Sequence, residues 1–81
     1  MARYFKNRST KEIVAFLIAH NFELKNTKGD DDVFVDDLMH VVKVTKNRKS
    51  TPIGTMQSIQ KWSGYSKKEW INWWKKNGFG E

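Results

Sequence analysis

Apolar residues recur at helical spacing along the first quarter of the chain. Ser9 and Glu12 have the spacing of a capping box, which predicts a helix that starts near Thr10. Asn21 tolerates a positive φ and is therefore a suitable place for this helix to stop. The apolar face of the predicted helix consists of Ile13, Phe16, Leu17 and His20, widened by Val14 and Ile18.

The middle of the chain changes to the two-residue alternation that is typical of strands. Residues 22–27 alternate apolar and polar side chains and predict a half-buried strand, and residues 28–30 supply a turn. Residues 33–35 are strand-like, residues 36–37 mark a second turn, and residues 40–45 are β-branched and alternating. We therefore predict an antiparallel meander of three short strands.

The last third of the chain returns to helical spacing. Thr51 is predicted as an N-cap and Pro52 as the first helical residue, where a missing N–H costs nothing, and Gly64 ends the helix. The apolar positions of this helix are Ile53, Met56, Ile59 and Trp62.

A third helix follows, because Ser66 and Glu69 repeat the capping-box spacing and Asn77 with Gly78 forms a stop. It carries Trp70, Ile71, Trp73 and Trp74. Tryptophans at this spacing favour packing over stacking on bases, although a partly covered patch could also bind a protein partner. The predicted order is α-β-β-β-α-α in a single α+β domain of residues 1–81, with the helices packed on one face of a three-stranded antiparallel sheet.

The charge of the chain indicates a class of binding partner. The 81 residues carry a net charge of +6 and no cysteine, with a pI of about 9.7. A polyanion is therefore the expected partner, with nucleic acid as the first candidate, an anionic membrane as the second and plain solubility as the alternative. The apolar run at residues 13–19 is too short to cross a bilayer and is interpreted as a core helix. Of the two polyanions, the expected partner is nucleic acid (RNA) and no membrane. The lack of cysteine fits the reducing cytoplasm.

The polar segment before the second helix is the best candidate for a phosphate site. The residues from 46 to 51, here called the basic loop, precede a helix N-terminus, whose unpaired N–H groups and partial positive charge attract phosphate. This pattern predicts a clamp on a nucleic-acid backbone, and the alternative is a solvated loop without a ligand. The candidate phosphate-binding residues are Lys28, Lys46, Arg48, Lys49, Thr51 and Thr55.

Three consecutive carboxylates, Asp30, Asp31 and Asp32, form a second candidate site, here called the acidic turn. They could form a structural turn, hold Mg²⁺ through one or two carboxylates, or supply a general base for a ribose 2′-OH. His40 is a candidate proton shuttle because it is the imidazole predicted on the sheet, whereas His20 is interpreted as a cap or surface residue.

Several short motifs resemble the HicA family of toxins. They are residues 11–14 with Leu17, the pair Asn21-Phe22, and the pair Lys28-Gly29. The most specific is Pro52-Ile53-Gly54-Thr55-Met56-Gln57-Ser58-Ile59, which is similar to the Gly-Thr-Leu-x-Ser-Ile helix start of that family. The similarity covers residues 9–65, and the Trp-rich helix at residues 66–78 lies outside it.

The resemblance implies a fold like that of double-stranded-RNA-binding domains and a ribonuclease that a HicB antitoxin holds inactive. It implies metal-independent cleavage of mRNA without a cofactor, in which a histidine assists attack by the 2′-OH. By position, Asp30 stands at the family's serine, Asp31 at its catalytic histidine and Asp32 at the next histidine. An aspartate accepts a proton but is a poor acid at neutral pH.

Three functions follow as alternatives. The first is a HicA-like endoribonuclease that uses Asp31 with help from Lys28 or His40, or a member of the family that has lost cleavage. The second is a non-catalytic module that binds RNA or the antitoxin. The third is a protein-interaction domain that acts through the tryptophan helix.

Overall fold

The computed structural model describes residues 5–79, and these form the predicted α+β domain. The sheet is antiparallel, and its strands lie in the order β1-β2-β3. The elements are α1 (Thr10–Ala19), β1 (Glu23–Lys28), β2 (Asp31–Val35), β3 (Val41–Thr45), α2 (Ile53–Ser63) and α3 (Lys67–Lys76). The order α-β-β-β-α-α is confirmed. No helix within residues 5–79 is both long and apolar enough to cross a membrane.

The predicted boundaries of α1 are confirmed. The Ser9 hydroxyl accepts a hydrogen bond from the Glu12 N–H at 3.3 Å, and the Glu12 carboxylate accepts one from the Ser9 N–H at 2.9 Å. The helix ends at Ala19, and Asn21 adopts a left-handed φ of 66°. The chain reverses there because asparagine tolerates this conformation better than most residues do.

The start of α2 differs by one residue from the prediction. Pro52 is the N-cap, with φ −56° and ψ 147°, so the assignment of Thr51 as the N-cap is wrong. Thr51 is only 3% exposed, and its N–H donates to the Arg8 carbonyl at 2.8 Å. This contact and the following proline hold Thr51 outside the helix. Gly64 ends α2 with φ 81°, as predicted.

The first strand is more exposed than its pattern suggested. Every residue of β1 is exposed, including Leu24 at 52%, so the prediction of a half-buried strand is wrong. The helices α1 and α2 pack against β3, at the opposite edge of the sheet, and leave β1 uncovered. The alternation in β1 therefore predicts a strand, but it does not predict whether a helix covers either face of that strand.

All three helices contribute to one core, and α3 is part of it. Trp70 and Trp74 are fully buried. Their indole N–H groups donate to the Ser63 hydroxyl at 3.1 Å and to the Glu12 carbonyl at 3.2 Å. The prediction that these two tryptophans pack is confirmed. The other buried apolar residues are Phe5, Ile13, Phe16, Leu17, Phe22, Phe34, Val42, Val44, Met56 and Ile59.

Candidate nucleic-acid interface

One end of the sheet brings together the acidic turn, the basic loop and the first turn of α1. The Lys46 N–H donates to the Asp30 carbonyl at 2.7 Å, which joins the basic loop to the acidic turn. The Thr10 hydroxyl donates to the Thr45 carbonyl at 2.6 Å, which joins α1 to the end of β3. We call this region the polar end of the sheet.

The backbone of the basic loop is fastened to α1. The Thr10 N–H donates to the Arg48 carbonyl at 2.9 Å, and the Arg48 N–H donates to the Thr10 hydroxyl at 2.9 Å. The bond from Thr51 to Arg8 fixes the far end of the loop. The side chains of Arg48 and Lys49 remain exposed. The loop therefore offers two cations on a backbone that is already held in place, which lowers the entropy lost on binding.

A recess of about 640 Å³ lies between α1 and the basic loop. The helix contributes Thr10, Lys11, Val14 and Ala15, and the loop contributes residues 47–49. None of the described residues that line this recess carries a carboxylate. Within residues 5–79, no carboxylate pairs with the cations Lys11, Arg48 and Lys49. The recess is thus an electropositive site, and its cations have no counter-charge in the part of the chain that the structure describes.

The other predicted phosphate-binding residues occupy different environments. Lys28 is exposed at the end of β1, and Lys46 is half-buried, with its ammonium 3.7 Å from the Asp32 carboxylate. Thr55 is half-buried in the first turn of α2. Thr51 lies in the interior, so its prediction as a phosphate ligand is wrong for this conformation. Thr51 therefore leaves the set of surface candidates, and Lys11 joins it.

The three carboxylates of the acidic turn do not converge on one point. Asp31 accepts a hydrogen bond from the Thr45 hydroxyl at 3.0 Å, and Asp32 accepts one from the Thr27 hydroxyl at 2.9 Å. As neighbours on β2, Asp31 and Asp32 face opposite sides of the sheet. Among residues 5–79, no group of three His, Asp or Glu side chains is placed to hold a metal ion.

His40 lies at the opposite end of the sheet from Asp31. Asp31 begins β2, whereas His40 precedes β3 and binds Asp36, just after β2 ends. Five strand residues separate the two sites by ~16 Å. The predicted cooperation of Asp31 with His40 is therefore wrong. Lys28, in contrast, is the direct cross-strand partner of Asp31.

His40 instead holds the β2–β3 connection against α2. Its Nδ1 donates to the Asp36 carboxylate at 2.8 Å, and its backbone N–H donates to the same carboxylate at 2.7 Å. Burial acts to raise the pKa of Asp36, but these hydrogen bonds and the His40 charge outweigh it and lower the pKa below its ordinary value. The imidazole also covers Gly64, where an added Cβ would lie 2.5 Å from Nε2.

His20 has a similar internal role, as the sequence suggested. It caps α1, and its Nδ1 donates to the Phe16 carbonyl at 2.8 Å. Its ring stacks on Phe16 at 3.9 Å between centroids and meets Tyr65 edge-on at 4.7 Å. We call the region formed by His20, Asp36, His40, Gly64 and Tyr65 the aromatic end.

Arg8 is a structural residue that the sequence reasoning missed. It is 1% exposed, lies 2.7 Å from the Glu12 carboxylate and stacks 4.5 Å above the Trp74 ring. Burial acts to raise the pKa of Glu12, but hydrogen bonds from Ser9 and Arg8 together lower it. The four-residue spacing of Arg8 and Glu12 was a visible signal for the pair, whereas the contact with Trp74 is long-range and was not.

A comparison with protein-family models and with curated protein sequences finds no match to this chain. The resemblance to HicA toxins therefore rests on the motifs quoted above. At the polar end, the features that are relevant to function are the exposed cations and the recess.

Proposed function

We propose that this protein is a HicA-like RNA-binding protein of a type II toxin–antitoxin system. The observation that carries the proposal is the recess with Lys11, Arg48 and Lys49 around it and no carboxylate among the described residues of its lining. The resemblance in residues 52–59 supports the family assignment. A protein that acts on mRNA would work in the cytoplasm.

The proposed binding uses phosphate contacts. Lys11, Arg48 and Lys49 would neutralise backbone phosphates and release their counterions, so affinity should fall steeply as salt rises. Such contacts position the nucleic acid without reading its sequence. Because hydrogen bonds between Thr10 and Arg48 already hold the loop, little further ordering of the backbone is needed.

A charge-matched pair of variants tests this proposal. The double variant Arg48→Gln/Lys49→Gln should lower the affinity for a fluorescein-labelled RNA roughly tenfold at low salt and reduce the salt slope by about 1–2. The control Lys75→Gln/Lys76→Gln removes the same charge from exposed positions on α3. Equal losses of affinity in both variants would show that net charge alone causes the effect and would contradict a site at the basic loop. Absence of RNA binding by the wild type would overturn the proposal.

Cleavage of the bound RNA is a second candidate function, and one observation favours it. Asp31 and Lys28 are directly opposite on neighbouring strands, so a carboxylate base and an ammonium group share one side of the sheet at the polar end. Wild-type protein and Asp31→Ala should be incubated with RNA in a chelator. Cleavage that Asp31→Ala abolishes would support catalysis, and intact RNA with both proteins would leave binding alone.

The resemblance also supports a HicB-like antitoxin as the protein partner. Co-expression with the product of the adjacent short reading frame tests this, because an antitoxin should co-purify with the chain and reduce its RNA binding. Failure of the two proteins to associate would contradict the proposed partner while leaving RNA binding intact.

A further inference from the structure

The recess at the polar end has one feature that a phosphate clamp does not need. Besides its cations, it is lined by the aliphatic side chains of Val14 and Ala15, which are half-buried. Phosphates bind to exposed cations on an open surface, whereas an apolar lining gains nothing from an ionic ligand. This lining therefore suits a flat, weakly polar group that is attached to a phosphate.

We propose that the recess holds the base and ribose of one unpaired nucleotide, whose phosphate lies against Arg48 and Lys49. This inference rests on the proposed RNA binding and names its substrate class as single-stranded RNA. The volume of about 640 Å³ is within the range of about 300–1,000 Å³ that is typical of small-ligand sites. Bases in a duplex are stacked and paired, so only an unpaired base can enter such a recess.

The loop supplies a group that can contact the edge of the base. Asn47 lines the recess, is exposed, and adopts a left-handed φ of 57°. Its side-chain amide offers both a donor and an acceptor, as the edge of a nucleobase does. Asn47, the apolar lining and the cations thus offer contacts to the edge of the base, to the base and ribose, and to the phosphate.

Electrostatics alone predicts the opposite preference, which makes the inference testable. A duplex has a higher charge density than a single strand, so a surface that contacts phosphates only should bind duplex RNA at least as tightly. We expect a labelled oligouridine 12-mer to bind roughly tenfold more tightly than a labelled 12-base-pair duplex at equal salt. Equal or tighter duplex binding would overturn the inference and leave the proposed function standing.

A substitution that fills the recess distinguishes the contribution of the base to affinity from that of the phosphate. In Ala15→Leu, the ratio of oligouridine affinity to duplex affinity should fall roughly tenfold, because the larger side chain occupies the space of the base. Ala19→Leu is the matched control, since Ala19 is exposed on the same helix and does not line the recess. Equal ratios in the two variants would contradict the inference. Circular dichroism of both variants checks that α1 is intact.

Methyl NMR locates the ligand directly and identifies its source. The methyl signals of Val14 and Ala15 should shift when the oligouridine is added. Shifts of the same signals with uridine monophosphate would show that a free nucleotide suffices, and shifts with the oligomer alone would assign the recess to a strand. Unchanged signals with both ligands, while the oligomer still binds, would overturn the inference. Absence of any RNA binding would instead overturn the proposed function.

Discussion

The two histidines at the aromatic end and the two exposed cations of the basic loop at the polar end are used in opposite ways. At the aromatic end, His40 is bound to Asp36 and His20 is bound to the Phe16 carbonyl and stacked on its ring. At the polar end, Arg48 and Lys49 project from a fastened backbone, and no carboxylate within residues 5–79 pairs with them. An ionisable side chain with an internal partner contributes to folding, whereas one without a partner is available to a ligand. Loss of stability should therefore follow substitutions at the aromatic end, and loss of binding should follow substitution of Arg48 and Lys49.

The largest effect on stability is expected from Trp70, which packs next to the aromatic end. It is fully buried and stacks on Phe16 at 3.6 Å between centroids, so Trp70→Ala should cost about 3–5 kcal/mol of unfolding free energy. Trp62→Ala is the matched control, because Trp62 is 45% exposed, and it should cost less than about 1 kcal/mol. Urea denaturation measures both. Equal costs would contradict the placement of the two tryptophans.

A smaller loss is expected at the contact between His40 and α2. Gly64→Ala should cost about 1–3 kcal/mol, because a Cβ would meet the imidazole and Gly64 has a left-handed φ of 81°. In contrast, Gly54→Ala places its Cβ in open space within a helix and should stabilise the protein by about 0.5 kcal/mol. Thermal unfolding distinguishes them. A stabilising Gly64→Ala would show that His40 does not cover this glycine.

The pH dependence of stability should report the pair Asp36–His40. Because the folded-state pKa of Asp36 is below its usual value of 3.8, its charged form contributes stability that is present above about pH 4. That contribution is lost as the pH falls through the folded-state pKa, since the unfolded chain binds the proton first. In Asp36→Asn, the loss of stability on acidification below about pH 4 should be smaller than in the wild type, as measured by urea denaturation at each pH.

A residual acid dependence should remain in Asp36→Asn because of Glu12, whose pKa is also lowered, from an ordinary value of 4.5. The sign is the same: the stability from its hydrogen bonds with Ser9 and Arg8 is lost on acidification. Asp37→Asn is the control, because Asp37 is the next residue along the chain and is exposed. If Asp37→Asn and Asp36→Asn flatten the profile equally, the hydrogen bonds of Asp36 are not the cause.

The smallest effect on stability is expected at the polar end. Arg48→Gln/Lys49→Gln should change the free energy of unfolding by less than about 0.5 kcal/mol, because both side chains are exposed and unpaired within residues 5–79. The same double variant should show the roughly tenfold loss of RNA affinity given above. Denaturation and anisotropy on one preparation test both. A large loss of stability in this double variant would show that Arg48 and Lys49 contribute to folding, and would contradict the contrast with the histidines of the aromatic end.

Local features of the fold were predictable, and long-range ones were not. Ser9 with Glu12 and the terminal Gly64 act through hydrogen bonds or dihedral angles within one turn, so their spacing in the sequence was enough. The predicted cooperation of Asp31 with His40 was wrong because it depends on which strand ends lie together. The length of β2 separates the two residues by ~16 Å. The exposure of β1 likewise depends on where α1 and α2 pack.

The sequence by itself determined the order of the elements, the excess of positive charge and the position of the basic loop. These follow from periodicity, capping and composition, which are properties of neighbouring residues. Only the tertiary structure decided that Lys11 joins Arg48 and Lys49, that Val14 and Ala15 line the recess between them, and that both histidines lie at the other end. Such groupings depend on how helices pack on a sheet, because packing brings together residues that are tens of positions apart along the chain.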